Sequence, residues 1–165
     1  PAVVISHQIM GLAGHNDLVR IIPRNLVMGI GCRRGVLTES LIKAYKQVLH
    51  QYAIDAAGIK ALATIDFKAG EAGMRILARE LGLPLVAVGK KEIQEIEDDF
   101  TPSQWVYENI GVGGVCEPAA RLVAMKGYTI VPKQKIGPVT ISVAVERSWW
   151  LDLAQGIETS WPLQP

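Results

Sequence analysis

Residues 26–49 read LVMGIGCRRGVLTESLIKAYKQVL, and how this stretch divides decides the fold. Leu26 to Ile30 is a short apolar run of the kind that forms a buried strand. Leu37, Leu41, Ala44, Tyr45, Val48 and Leu49 then recur at helical spacing, with Lys43, Lys46 and Gln47 on the opposite face. Between them lies a glycine-rich, cationic junction, Gly29 to Gly35. A strand running through such a junction into an amphipathic helix is the opening half of a βαβ unit.

The unit repeats downstream. Gly58 stops the helix, and Ile59 to Ile65 reads as the next strand. Met74, Leu77, Ala78 and Leu81 mark a second helix, stopped by Gly82 and Pro84 as helix ends commonly are. Leu85 to Val88 is a third strand. Strands alternating with helices imply a parallel sheet with right-handed crossovers. Lys90 to Asp99 is strongly charged and reads as a solvated loop or short helix, and Thr101-Pro-Ser-Gln104 as a helix start. A further helix opens at Glu117-Pro118 and runs through Lys126. Tyr128 to Val131 and Val139 to Val145, joined by 132–138, read as an antiparallel pair. The expected fold is therefore α/β: a three-layer α/β/α domain with a mixed, mainly parallel central sheet and a C-terminal antiparallel pair. Upstream, Val3 to Ile5 is a strand candidate and Gly11 to Pro23 a connector. Residues 1–24 are expected to be a linker or N-terminal extension, 25–146 the domain, and 147–165 a tryptophan-rich tail.

The 165 residues suffice for one packed domain. With 17 basic and 16 acidic residues the net charge is +1, so there is no global electrostatic case for nucleic acid or an anionic membrane; anion recognition must be local. No apolar run approaches the roughly 20 residues of a membrane span. PAVVISHQIM lacks the basic region of a signal peptide. Cys32 and Cys116 are too few for a disulfide framework and are not spaced as zinc ligands. A cytoplasmic setting is the expectation. His7, His15 and His50 are scattered, so no metal site is expected.

Three junctions carry candidate chemistry. At the first, Gly29, Gly31 and Gly35 permit close backbone approach and positive φ, the following helix starts near Gly35 with unpartnered amides, and Arg33 and Arg34 suit carboxylate or phosphate. The functional reading is an anion-binding turn that includes Cys32; the alternative is a tight turn with solvated arginines. The spacing G-x-G-x-x-x-G is neither a Walker A loop nor the dinucleotide fingerprint, which counts against a nucleotide-binding domain. At the second, Thr64 to Gly73 places Asp66, Lys68 and Glu71 after a strand end and before a helix; the alternative for Asp66 and Lys68 is a surface ion pair. At the third, Gly111, Gly113 and Gly114 precede Glu117, either an ordinary cap of its helix or an acid or base at a cleft rim. All three fall on one edge if the strands are parallel, the edge where open α/β sheets bind ligands. Lys133-Gln-Lys135 is a weaker basic patch in the final hairpin.

These junctions, GIGCRRG at 29–35, ATIDFKAGEAG at 63–73 and GVGGVCEPAA at 111–120, together with the closing VPKQKIGPVTISVAVE, resemble the C-terminal domain of the cobalt-precorrin-5A hydrolase (CbiG) family, and also its small stand-alone relative CobE, over about residues 25–146. The resemblance implies a role in cobalamin biosynthesis. The family's hydrolase opens the ring δ-lactone of a cobalt corrinoid and releases acetaldehyde. The substrate is rimmed with acetate and propionate groups. It implies a polycarboxylate corrinoid partner contacted by Gly29, Gly31, Cys32, Arg33, Arg34, Gly35, Lys68, Gly111, Gly113 and Gly114, with Asp66, Glu71 and Glu117 as acid or base candidates. It also implies no cofactor, the cobalt belonging to the substrate, and further partners in the N-terminal domain of a longer chain or in other enzymes of the pathway. A homo-oligomer remains open. An enzyme domain and a non-catalytic corrinoid binder or carrier both fit.

Overall fold

The computed structural model describes residues 2–10, 18–96, 99–100, 102, 104, 107–108, 111–125 and 127–146. Its centre is a five-stranded sheet in the order β5-β4-β3-β7-β6. The strands are β3 (Leu26–Cys32), β4 (Ile59–Ile65), β5 (Leu85–Val88), β6 (Tyr128–Ile136) and β7 (Val139–Val145). β3, β4 and β5 are mutually parallel, while β7 runs antiparallel to both β3 and β6, so the sheet is mixed.

Two helical layers cover it. Alternation along β3 sends Leu26, Met28 and Ile30 into one core with α1 (Thr38–Gln51) and α3 (Ala72–Leu81). Val27 joins the other core, with Ala63, Ile65 and Ala144 and with Ala119 and Ala120 of α5 (Cys116–Val123). The first core is built from large side chains. Its fully buried Leu, Ile and Met residues each contribute about 1.5–3 kcal/mol. The second is mostly alanine and valine, with Ile65 and Ile93 as its large members, and depends on close approach. Two short helices, α2 (Asp66–Ala69) and α4 (Lys90–Gln94), follow β4 and β5 directly.

Several local expectations change. The strand does not end at Ile30: it carries Gly31 as well as Gly29 and stops at Cys32. Both are paired with β7 across their whole register, so they are ladder residues and not a turn. α1 begins at Thr38, not near Gly35, because Gly35 sits at φ +70°, a left-handed value that a helix cannot include. Residues 18–21, read as connector, form β2 (Leu18–Ile21), which pairs in parallel with β1 (Ala2–Ile5) in a separate ribbon. The helix expected through Lys126 ends at Val123, where Met125 turns to φ +53°.

The final pair is antiparallel, but its connection is tighter than 132–138. β6 continues to Ile136, and Gly137 and Pro138 make the turn. Pro132 is accepted because β6 is the edge strand and its register shifts between Val131 and Gln134. Most of the helix expected after Thr101, and the whole tail from 147, lie outside the described residues.

Candidate functional site

Parallel β3, β4 and β5 end on one side of the sheet at Cys32, Ile65 and Val88. β7 starts there too, Val139 lying opposite Cys32, so the Gly137-Pro138 turn joins the same edge. The third glycine segment reaches it as well: a Cβ on Gly31 would lie 3.7 Å from Val115, which precedes α5. All three junctions therefore share one rim, held together by specific contacts.

The first contact is an internal anion. Glu71, immediately before α3, accepts the Gly35 amide on Oε2 at 3.1 Å and the Lys68 ammonium on Oε1 at 3.2 Å. The Gly35 hydrogen bond, then the Lys68 bond, holds its carboxyl below the usual carboxylate value of 4.5. Lys68 is buried, so the ion pair is part of the fold and not a solvated surface pair. One amide of the predicted anion-binding turn is thus occupied by the protein's own carboxylate. Arg33 and Arg34 remain exposed on that turn, and the Arg33 amide donates to the Pro138 carbonyl at 3.1 Å.

The second contact explains the strand glycines. A Cβ on Gly29 would collide with the carbonyl oxygen of Cys116, and one on Gly31 would sit 2.6 Å from Thr140 Oγ1. Only glycine lets the start of α5 lie against β3. The third glycine segment is clamped similarly. Gly111, at φ +74°, leaves room for Lys90, whose Nζ would be 2.6 Å from a Cβ there, and Gln94 Nε2 donates to the Gly111 carbonyl at 3.1 Å. Gly113 packs on Pro102, while Gly114 has open space at its Cβ position.

The carboxylate candidates separate clearly. Glu71 is engaged as described. Glu117 is half-buried and accepts the Lys133 amide at 3.0 Å, tying α5 to β6. Asp66 is exposed; its Oδ1 accepts the Phe67 amide at 2.6 Å, and its Oδ2 has no partner among the described residues. Of the three, Glu71 alone has both carboxylate oxygens engaged, and Asp66 alone is exposed.

The cysteines lie on opposite faces of the sheet. Cys32 packs against the large-residue core, Cys116 is the first residue of α5 on the other face, and both are free. Burial raises the Cys32 thiol above its ordinary value, with nearby Lys68 lowering it and Glu71 raising it. Burial pushes the Cys116 thiol up to about 11, so it is an inert packing group at neutral pH. Lys133 and Lys135 lie in β6 itself and not in a loop.

The sequence reading missed Lys90. It follows the end of β5, and the rule that singled out Asp66 after β4 applies to it equally; its place within a charged run hid it. Thr140 was missed too. Its hydroxyl donates to the Gly31 carbonyl at 3.3 Å, which only the β3–β7 register reveals.

Residues 26–144 match the family model described as "Cobalamin synthesis G C-terminus". The chain is 33% identical over 123 residues to the cobalt-precorrin-5A hydrolase of Priestia megaterium, covering 74% of this chain and 33% of that one. It is 30% identical over 126 residues to that of Salmonella typhimurium, covering 76% and 36%. The chain thus spans about a third of the length of these two relatives. Among solved structures it resembles CobE, a protein from the cobalamin (vitamin B12) biosynthetic pathway, with a TM-score of 0.69 and 30% identity over 80% of this chain and 96% of that chain. It also resembles the cobalamin biosynthesis protein chiG of Agrobacterium tumefaciens str. C58, with a TM-score of 0.60 and 27% identity over 74% and 99%.

Proposed function

The chain belongs to the cobalamin synthesis G C-terminus family, and from that premise we propose that it serves cobalamin biosynthesis as the corrinoid-handling domain of a cobalt-precorrin-5A hydrolase. The observation that carries this reading is the convergence of the three family junctions on the carboxyl edge of the sheet, with exposed Arg33, Arg34 and Lys90 around it. The substrate would be a cobalt corrinoid whose peripheral carboxylates meet these cations and the amides ahead of α5. The Gly35 amide would act indirectly: by holding Glu71 it fixes the arginine turn in place.

In this reading the domain contributes to opening the ring δ-lactone, with acetaldehyde released. Lactone opening requires a base to take a proton from the attacking water. Asp66 is the candidate base, since it is exposed at the end of β4, while Glu71 has both oxygens engaged and Glu117 is half-buried and bonded to β6. Cobalt would arrive within the substrate, and the domain would need no cofactor of its own. The setting would be cytoplasmic. Among the described residues no helix is long and apolar enough to cross a membrane. The further partners would be the remaining domain of a longer chain or neighbouring enzymes of the pathway.

A second reading is binding or carriage without turnover. It is favoured by the engagement of two of the three carboxylate candidates in structural hydrogen bonds, and by the likeness to CobE along nearly all of that chain. One experiment separates the readings. Cobalt-precorrin-5A is titrated by visible absorbance and acetaldehyde is assayed in the same samples. Binding with release supports the hydrolase domain, and Asp66→Asn should then remove turnover while leaving affinity within about threefold. Binding without release supports the carrier. Absence of binding sinks both. Because Arg33 and Arg34 are exposed and screened, each alanine substitution should weaken binding by about 1 kcal/mol. Unchanged affinity in the double variant would remove the arginine turn from the site.

A further inference from the structure

Among the described residues, the large exposed apolar side chains are not scattered evenly. Six belong to the β1–β2 ribbon and the residues after β1, and Met125 and Tyr128 lie at the far end of α5. The remaining three occur once beside each rim junction. Leu37 is 69% exposed after the arginine turn, and Phe67 is 52% exposed at the end of β4. Tyr107 is 58% exposed, and its carbonyl accepts the Gly111 amide at 2.7 Å. Phe67 is the central one. β4 lies between β3 and β5, so α2 begins between the arginine turn and Lys90. It is also firmly seated. Its neighbour Lys68 is buried and paired with Glu71, which in turn holds Gly35, and the Phe67 amide is bonded to Asp66.

Recognition of a simple polyanion gives no reason to expose apolar side chains beside cations. A ligand with an apolar plane and a carboxylate border needs both. Resting on the reading of this rim as the corrinoid site, we propose that Phe67, with Leu37 and Tyr107 at the other two junctions, is the contact for the face of the macrocycle, while Arg33, Arg34 and Lys90 engage its border. Phe67 then sets specificity for the ring, and the cations set affinity for carboxylates in general. Apolar contact with a delocalised ring on a preformed aromatic surface is worth about a factor of ten.

The test uses two probes on the full chain. Cobyrinic acid, a cobalt corrinoid with free carboxylates, is titrated by visible absorbance. Tricarballylate, a ring-free tricarboxylate, is measured as a competitor. Phe67→Ala should weaken cobyrinic acid about tenfold and leave the tricarballylate competition constant unchanged, and Phe67→Trp should restore binding to within about threefold of the parent. Because Phe67 is exposed, melting temperature should not move in either variant. Equal cobyrinic acid affinity in the parent and Phe67→Ala, with Arg33→Ala and Arg34→Ala weakened, overturns the ring contact and leaves the anion rim standing. Equal losses for both probes in Phe67→Ala also overturn it, because the side chain would then act on carboxylate binding alone. A parent chain that binds no cobyrinic acid removes the corrinoid reading and the ring contact together.

Discussion

Gly29 and Gly31 differ from Gly35 in every physical respect, although one short motif holds all three. The first two are buried ladder residues whose missing side chains admit the start of α5 and the Thr140 hydroxyl. The third is exposed, has open space where its Cβ would be, and is glycine because its φ is +70°. Close packing and backbone freedom look identical in a string of letters. The cationic turn is thus shorter than the motif. Its glycine-rich first half belongs to the core, and only residues 33–35 are free to face a ligand.

The contrast can be broken most forcefully at Gly29. Gly29→Ala places a methyl group against a backbone carbonyl, which cannot rotate away, so the loss of stability should exceed about 3 kcal/mol in chemical unfolding. Gly31→Ala meets a side-chain hydroxyl and should cost less, about 1–2 kcal/mol. Equal costs at the two positions would mean that α5 is not seated on the Cys116 carbonyl as described. Gly35→Ala should cost about 1 kcal/mol through the left-handed φ alone, and Gly35→Asn less, since asparagine tolerates that region. If Gly35→Ala proves as damaging as Gly29→Ala, the division of the motif fails.

The smallest effect concerns the Gly35–Glu71–Lys68 clasp. The Glu71 carboxyl is held below its ordinary value, so its contribution is fully present above about pH 4.5 and is lost as pH falls through the lower folded value. Glu71→Gln has no charge to lose. The difference in melting temperature between parent and variant should therefore narrow on acidification from about pH 6 to about pH 3, within about 1 kcal/mol overall. A difference that stays constant over that range would make the clasp a neutral hydrogen bond and not an ionic one.

Much of the architecture was readable from periodicity. Strand limits at Ile59–Ile65 and Leu85–Val88, the helix to Leu81 and the αL cap at Gly82 all follow from local rules that tertiary contacts reinforce. The parallel order and the antiparallel return were readable as well, because connection length restricts strand direction. The site was legible only in part. Its junctions stood out as glycine and charge clusters, but the partners of each carboxylate did not. Glu71 is 36 residues from the amide it accepts, and Glu117 is 16 from Lys133. Lys90 was hidden by its charged neighbours.

The amino-acid sequence by itself determined the α/β order, the large-residue face of β3 and the placing of three polar junctions at strand ends, because these depend on alternation and spacing along the chain. Only the tertiary structure decided which glycines are turns, which carboxylate is an internal anion and which is left exposed. Those outcomes depend on atoms brought together from distant segments, and a hydrogen bond or a collision is set by distance in space, on which local sequence carries no information.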